Sequence, residues 1–116
     1  MSEEADIQRL GIAFAKNHPT VAKIYRSQSG KVKVKGGWMQ LCPEGTPDAT
    51  GYTVDGRIIG IEFKTPSAFK TKNHGASLEQ VEHLNSILKA GGIAGIATCN
   101  EDVAKILSGI PHGLID

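Results

Sequence analysis

The stretch Gly45–Lys64, GTPDATGYTVDGRIIGIEFK, decides how the chain is read. Its second half alternates. Ile59, Ile61 and Phe63 fall on one side, and Ile58, Gly60, Glu62 and Lys64 on the other, the period of a strand. Glu62 and Lys64 therefore emerge side by side from one face. Asp55-Gly56 divides the stretch and is a two-residue hairpin signal. Folding back at that turn predicts antiparallel strands, with Val54 opposite Arg57 and Asp48 level with Phe63 and Lys64. Two acids and a lysine converge on one end of the hairpin.

On the N-terminal side, Ser2 is placed to cap a helix with Glu3, Glu4 and Asp6 in its first turn. Ile7, Leu10 and Phe14 form its apolar stripe, and Asn17-His18-Pro19 ends it. Val21 to Ser27 reads as a first strand, followed by a turn at Ser29-Gly30. Lys31-Val32-Lys33-Val34-Lys35 alternates as a strand with one lysine-covered face. Gly36-Gly37 interrupts it, Trp38 to Cys42 resumes as an extended piece, and Pro43 and Pro47 punctuate a loop leading to Asp48.

On the C-terminal side, Thr65-Pro66 stops the strand and Ser67 to Ala76 reads as a polar, basic loop of the kind that carries function. Ser77 opens a helix with Leu78, Val81, Leu84 and Leu88 on one side, ended by Gly91-Gly92. Ile93 to Thr98 is a buried strand. Asn100 is expected to cap a last helix that turns Val103, Ile106 and Leu107 inward, ended by Gly109, with the tail a loosely docked loop. The fold class is α/β, a mixed central sheet flanked by helices in the order α-β-β-β-α-β-α. The helix between the strands at Ile58–Lys64 and Ile93–Thr98 makes a right-handed parallel crossover.

The chain has 116 residues, 40% hydrophobic and 22% charged, which suits one domain with a modest core. No apolar run approaches the ~20 residues of a membrane span. The acidic, amphipathic start is not a secretory signal, and a reducing cytoplasm is the simplest home. Cys42 and Cys99 are far apart and fit inert core positions better than a disulfide or zinc site. Net charge is only +1, but its distribution is uneven. From Ile7 to Pro43 there is no acid, while Arg9, Lys16, Lys23, Arg26, Lys31, Lys33 and Lys35 all fall there. A second acid-free window, Phe63 to Leu78, holds Lys64, Lys70 and Lys72. Basic stretches framing an acidic centre suit a protein that grips a polyanion; a merely solvated face has the same composition.

Phosphodiester cleavage needs an activated water and neutralisation of charge at the reacting phosphate, which a carboxylate-held divalent cation supplies. Magnesium takes one or two carboxylates and keeps water and substrate oxygens as its other ligands. Asp48 and Glu62 meet that demand, the Phe63 backbone carbonyl between Glu62 and Lys64 is a further ligand, and Lys64 is placed to orient or deprotonate the water. The same residues can also be a surface Glu–Lys pair. Ser77-x-x-Gln80 is by spacing a capping box. His74 and His83 lack metal spacing and read as surface residues or phosphate contacts. Gly91-Gly92 follows a helix and lacks the strand-then-helix setting of a dinucleotide loop, so no organic cofactor is expected. Arg26, Ser29 and the lysines at 31, 33 and 35 are candidate phosphate contacts, or edge-strand lysines that discourage aggregation.

Pro47-Asp48 followed by Glu62-x-Lys64 resembles the signature of the PD-(D/E)XK nuclease superfamily. The wider set of Arg26, Ser29-Gly30, Gly45-x-Pro47-Asp48, Glu62-Phe63-Lys64-Thr65, Ser77-x-x-Gln80 and Gly91-Gly92-Ile93 is similar to the virus-type replication-repair nuclease domain (VRR-NUC) in its small stand-alone phage and bacterial form. It spans roughly Ile7 to Leu107. The resemblance implies a restriction-endonuclease-like core, with Asp48 and Glu62 binding Mg2+ or Mn2+, Lys64 catalytic and Gln80 an active-site residue as well as a cap. It also implies an acidic residue from the first helix in the site, Glu4 ahead of Glu3. The activity it implies is that of a Holliday junction resolvase-like, structure-selective DNA endonuclease acting as a homodimer on branched or duplex DNA. The segment before Gln80 is longer than in many relatives, which makes Phe69, Lys70, Lys72, Asn73 and His74 further DNA contacts. An exonuclease or restriction-type enzyme on linear or flapped DNA, and a DNA-binding module with a structural acidic pair, are the alternatives.

Overall fold

A computed structural model describes residues 2–27 and 31–114. Helix α1 (Glu3–Lys16) starts where the Ser2 hydroxyl accepts the Ala5 amide at 3.1 Å, with Glu3, Glu4 and Asp6 set against the helix dipole. Its buried stripe differs from the predicted one. Gly11, Ile12 and Ala15 are buried, Ile7 and Phe14 are partly covered, and Leu10 is 50% exposed. The small residues let the helix lie close against Phe63, which turns Leu10 outward.

The strands are β1 (Val21–Arg26), β2 (Lys31–Val34), β3 (Gly37–Gln40), β4 (Ala49–Thr53), β5 (Ile58–Phe63) and β6 (Ile93–Ala97). One sheet runs β1-β4-β5-β6, antiparallel except for the parallel β5–β6 pair; β2 and β3 form a separate two-stranded sheet. Helices α2 (Pro66–Phe69), α3 (Leu78–Lys89) and α4 (Asn100–Leu107) complete the chain, with a 3-10 turn at Lys72–Gly75. Set aside the β2–β3 hairpin and the short α2, and the order is the expected α-β-β-β-α-β-α.

Helices cover both faces of the sheet. Ile59, Ile61 and Phe63 pack with Ile12 and Ala15 of α1 and Val103, Ile106 and Leu107 of α4. On the other face Leu84 and Ile87 of α3 pack with Ala94 and Ile96. Central β5 is therefore buried from Ile59 to Phe63 rather than half-buried. The α3 stripe includes Ile87, which the spacing reading passed over, and leaves Leu78 67% exposed at the first turn.

The hairpin at Asp55-Gly56 differs by one residue from the expected register. The Gly56 amide bonds to the Thr53 carbonyl and the Thr53 amide to the Arg57 carbonyl, so three residues, Val54 to Gly56, make the loop. Gly56 sits at φ +86, the left-handed position that such a loop requires. The Thr53 hydroxyl accepts the Arg57 amide at 2.8 Å and donates to Asp55, holding that carboxyl below its usual range. Ala49 pairs with Ile61, so the register carried one residue further sets Asp48 opposite Glu62 and not level with Phe63 and Lys64.

The segment after β5 is more ordered than a basic loop. Thr65 caps α2 by accepting the Ala68 amide at 3.1 Å, with Pro66 at the first helical position. His74 Nδ1 lies 2.7 Å from the Phe69 carbonyl and its ring stacks on Phe69 at 4.0 Å. The N-cap position of α4 falls at Cys99, whose side chain makes no capping bond, and not at Asn100; Asp102 instead accepts the Thr98 amide and hydroxyl at 2.9 and 2.8 Å. The tail is held at His112. The Ile96 amide donates to the His112 carbonyl, His112 Nδ1 donates to the Ile96 carbonyl at 2.7 Å, and His112 Nε2 lies 3.2 Å from Asp102. Cys99 is exposed and Cys42 half-buried, so neither is the inert core residue expected. Among the described residues no helix is long and apolar enough to cross a membrane.

Candidate active site

The site is assembled at the end of β4 and β5 where α3 begins. Gly45 takes φ +88 and lies so close to α3 that a side chain there would meet the Glu79 carbonyl at 2.5 Å. Pro47 is fully buried against Gly60 of β5. These contacts seat the loop and deliver Asp48 to the strand end. There the Phe63 amide donates to Asp48 Oδ2 at 2.8 Å, and the Ser27 amide to the Asp48 carbonyl at 2.8 Å.

Glu62 is 2% exposed. Gln80 Nε2 donates to its Oε2 at 2.8 Å, and Lys64 Nζ lies 3.5 Å from the same oxygen. Glu62 Oε1 is buried without a donor. The Asp48 carboxyl comes within hydrogen-bonding reach, but two acceptors bond each other only through a shared proton. Burial and the Asp48 charge push the Glu62 carboxyl up to about 8, with Lys64 opposing. Asp48 is also raised, first by burial and then by the charge of Glu4, against the Phe63 amide and Lys64. A surface Glu–Lys pair has none of this. The buried oxygen without a partner, beside a second carboxylate, is a place where a cation or a proton is needed.

Gln80 does two things at once. Its Oε1 accepts the Ser77 amide at 2.9 Å and its own amide donates to the Ser77 hydroxyl at 3.1 Å, which completes the capping box. The Nε2 left over by that bond reaches Glu62. Of the two acids weighed in α1, Glu4 is the one whose charge is felt at Asp48, although it is exposed. Among the described residues no group of three or more His, Cys, Asp or Glu side chains gathers as a candidate metal site.

The expected nucleic-acid contacts divide. Ser29 lies outside the described residues. Arg26 pairs with Ala49, which is in the core under α1, so Arg26 lies on the face away from Glu62. It lines a groove of about 480 Å³ with Arg9 and Lys16. Lys31, Lys33, Lys35, Lys70 and Lys72 are exposed and make no ion pair among the described residues. His74 is half-buried and committed to Phe69, so it braces the segment rather than offering a free contact. The residue that sequence reasoning missed is Ser27. Its hydroxyl donates to the Pro47 carbonyl and lies 2.9 Å from the Thr50 hydroxyl, tying β1 to the Asp48 loop; no local pattern signals a contact across that span.

No protein-family model and no curated protein matches the sequence.

Proposed function

We propose that the protein is a metal-dependent DNA endonuclease of the PD-(D/E)XK type, VRR-NUC-like and with a restriction-endonuclease-like core, acting on branched DNA in the manner of a Holliday junction resolvase. The observation that carries this reading is the buried Glu62 carboxyl with an oxygen lacking any donor, in contact with Asp48 and beside Lys64. Two carboxylates with a neighbouring backbone carbonyl form a hard oxygen donor set that fits Mg2+ or Mn2+. Asp48, Glu62 and the Phe63 carbonyl would hold the ion, which when bound would polarise the phosphate and make water more acidic.

The chain's own groups supply the rest. The Phe63 amide and Gln80 fix the two carboxylates, so that little reorganisation is needed when substrate arrives. Lys64 is 14% exposed at its side chain, open enough to reach a phosphate oxygen or a water and covered enough for its charge to act with little screening. The exposed lysines at 31, 33, 35, 70 and 72 supply attraction for a polyanion. Cutting both strands of a branch needs two sites, so the working form is proposed to be a homodimer with one site per strand.

The test is incubation of the protein with labelled four-way junction, flap and linear duplex DNA, with Mg2+, with Mn2+ and with chelator. Cleavage that needs the ion and prefers the junction is expected, and Glu62→Ala or Lys64→Met should reduce it by at least ~100-fold with an unchanged circular dichroism spectrum. Cutting of linear duplex or flap alone would move the reading to a restriction-type or exonuclease activity. Either variant cleaving at the wild-type rate ends it.

A further inference from the structure

We propose that the β2–β3 hairpin is a nucleic-acid-binding arm whose Lys33–Trp38 face stacks on an unstacked base, such as one opened at a branch point, beside the bond to be cut. The inference names the substrate of the proposed site and rests on that reading.

The arm is rooted at the site. The chain leaves β1 through Ser27, whose amide is bonded to the Asp48 carbonyl, and returns from β3 to Pro47, whose carbonyl accepts the Ser27 hydroxyl. Between these roots the hairpin forms its own two-stranded sheet and, among the described residues, joins no strand of the main one. Four strand residues give it a reach of about 13 Å.

Its register decides what it presents. Lys33 is directly opposite Trp38 and Val32 opposite Met39. Opposed residues share a face, so cationic Lys31 and Lys33 lie on the same side as the indole. Trp38 is 67% exposed, more than the other exposed aromatics, Tyr25 at 47% and Tyr52 at 48%. A tryptophan that merely stabilised the fold would be buried.

Charge selects the occupant. No acid occurs between Ile7 and Pro43, so the lysines of the arm have no counter-charge on it. A second copy of the same face would set lysine against lysine, whereas a phosphate backbone neutralises them and a base offers a flat partner to the indole. Paired duplex bases are stacked on each other and do not offer that partner; bases at a branch, flap or gap do.

Trp38 is the sole tryptophan in the chain, so its emission reports on this one side chain. The experiment titrates the whole protein in chelator with oligo(dT), forked duplex and blunt duplex, following tryptophan emission and, separately, anisotropy of labelled DNA. Saturable quenching by oligo(dT) and forked duplex, with much less by blunt duplex, is expected. Trp38→Ala should bind oligo(dT) about 10-fold more weakly with the salt slope unchanged, and Trp38→Phe should recover most of the loss. Lys33→Ala should lower the salt slope by about one. Equal quenching by blunt duplex, no quenching at all, or wild-type binding by Trp38→Ala would overturn the proposal. So would an emission shift that follows protein concentration without DNA, which would assign the face to self-association. The readout needs neither metal nor cleavage: quenching without activity would leave the arm standing and sink the nuclease reading, and activity without quenching the reverse.

Discussion

Glu62 is a carboxyl group held almost out of water, beside another carboxyl and with one oxygen lacking a donor. Its raised pKa means that the folded, metal-free protein binds a proton the unfolded chain has lost. The associated stability is present below about pH 4.5 and disappears as pH rises through about 8. Glu62→Gln, which cannot ionise, should therefore melt above the wild type at pH 8.5, by on the order of 2 kcal/mol or roughly 5–10 °C, with the difference vanishing near pH 5. Thermal melts in chelator across that range check it. Mn2+ affinity, measured by calorimetry, should rise over the same interval as the ion displaces the proton, and Asp48→Asn should abolish it. Gln80 is tested against its neighbour in the cap. Ser77→Ala and Gln80→Ala should each lose about 1 kcal/mol of stability, but under the proposed nuclease reading only Gln80→Ala should also lower a cleavage rate, since of the two only Gln80 touches Glu62.

The hairpin of β4 and β5 was legible as an element, because Asp55-Gly56 lies between alternating runs. Its register was not. A two-residue turn would have put Asp48 on the Phe63 side of the sheet; the three-residue loop closed by Gly56 moves it to the Glu62 side, since a slip of one residue exchanges faces. Gly56→Ala, forced to φ +86, should cost about 1 kcal/mol and lower activity through that register. Gly45→Ala should do more damage to the site than to the fold, because a methyl group at 2.5 Å from the Glu79 carbonyl displaces the first turn of α3 and with it Gln80. An activity loss larger than the melting shift is the expected signature. The β2–β3 hairpin is the opposite case. It shares no sheet with the core, so replacing residues 28–41 with a short Gly-Ser linker should leave the melting temperature within a few degrees while weakening DNA binding.

Across the whole molecule, stability is divided between two apolar layers on either side of the sheet. Phe63 anchors one and Leu84 the other, and both are shut away from water. Phe63→Ala should cost about 3–5 kcal/mol and Leu84→Ala about 2–5, read by denaturant titration, with Leu78→Ala at its exposed position costing under ~0.5. The sequence by itself determined the α/β class, the order of the core elements and the helix starts at Ser2 and Ser77, and it marked Asp48, Glu62, Lys64 and Gln80 as candidates. These are written in period, cap and turn chemistry, which act over a few neighbouring residues. Only the tertiary structure decided that Asp48 faces Glu62 and that Glu62 is buried with an orphaned oxygen. It alone turned Arg26 to the far face and set the Lys33–Trp38 arm off the core. Each of these depends on strand register and on which layer covers which face, and those are settled by packing between residues far apart in the chain.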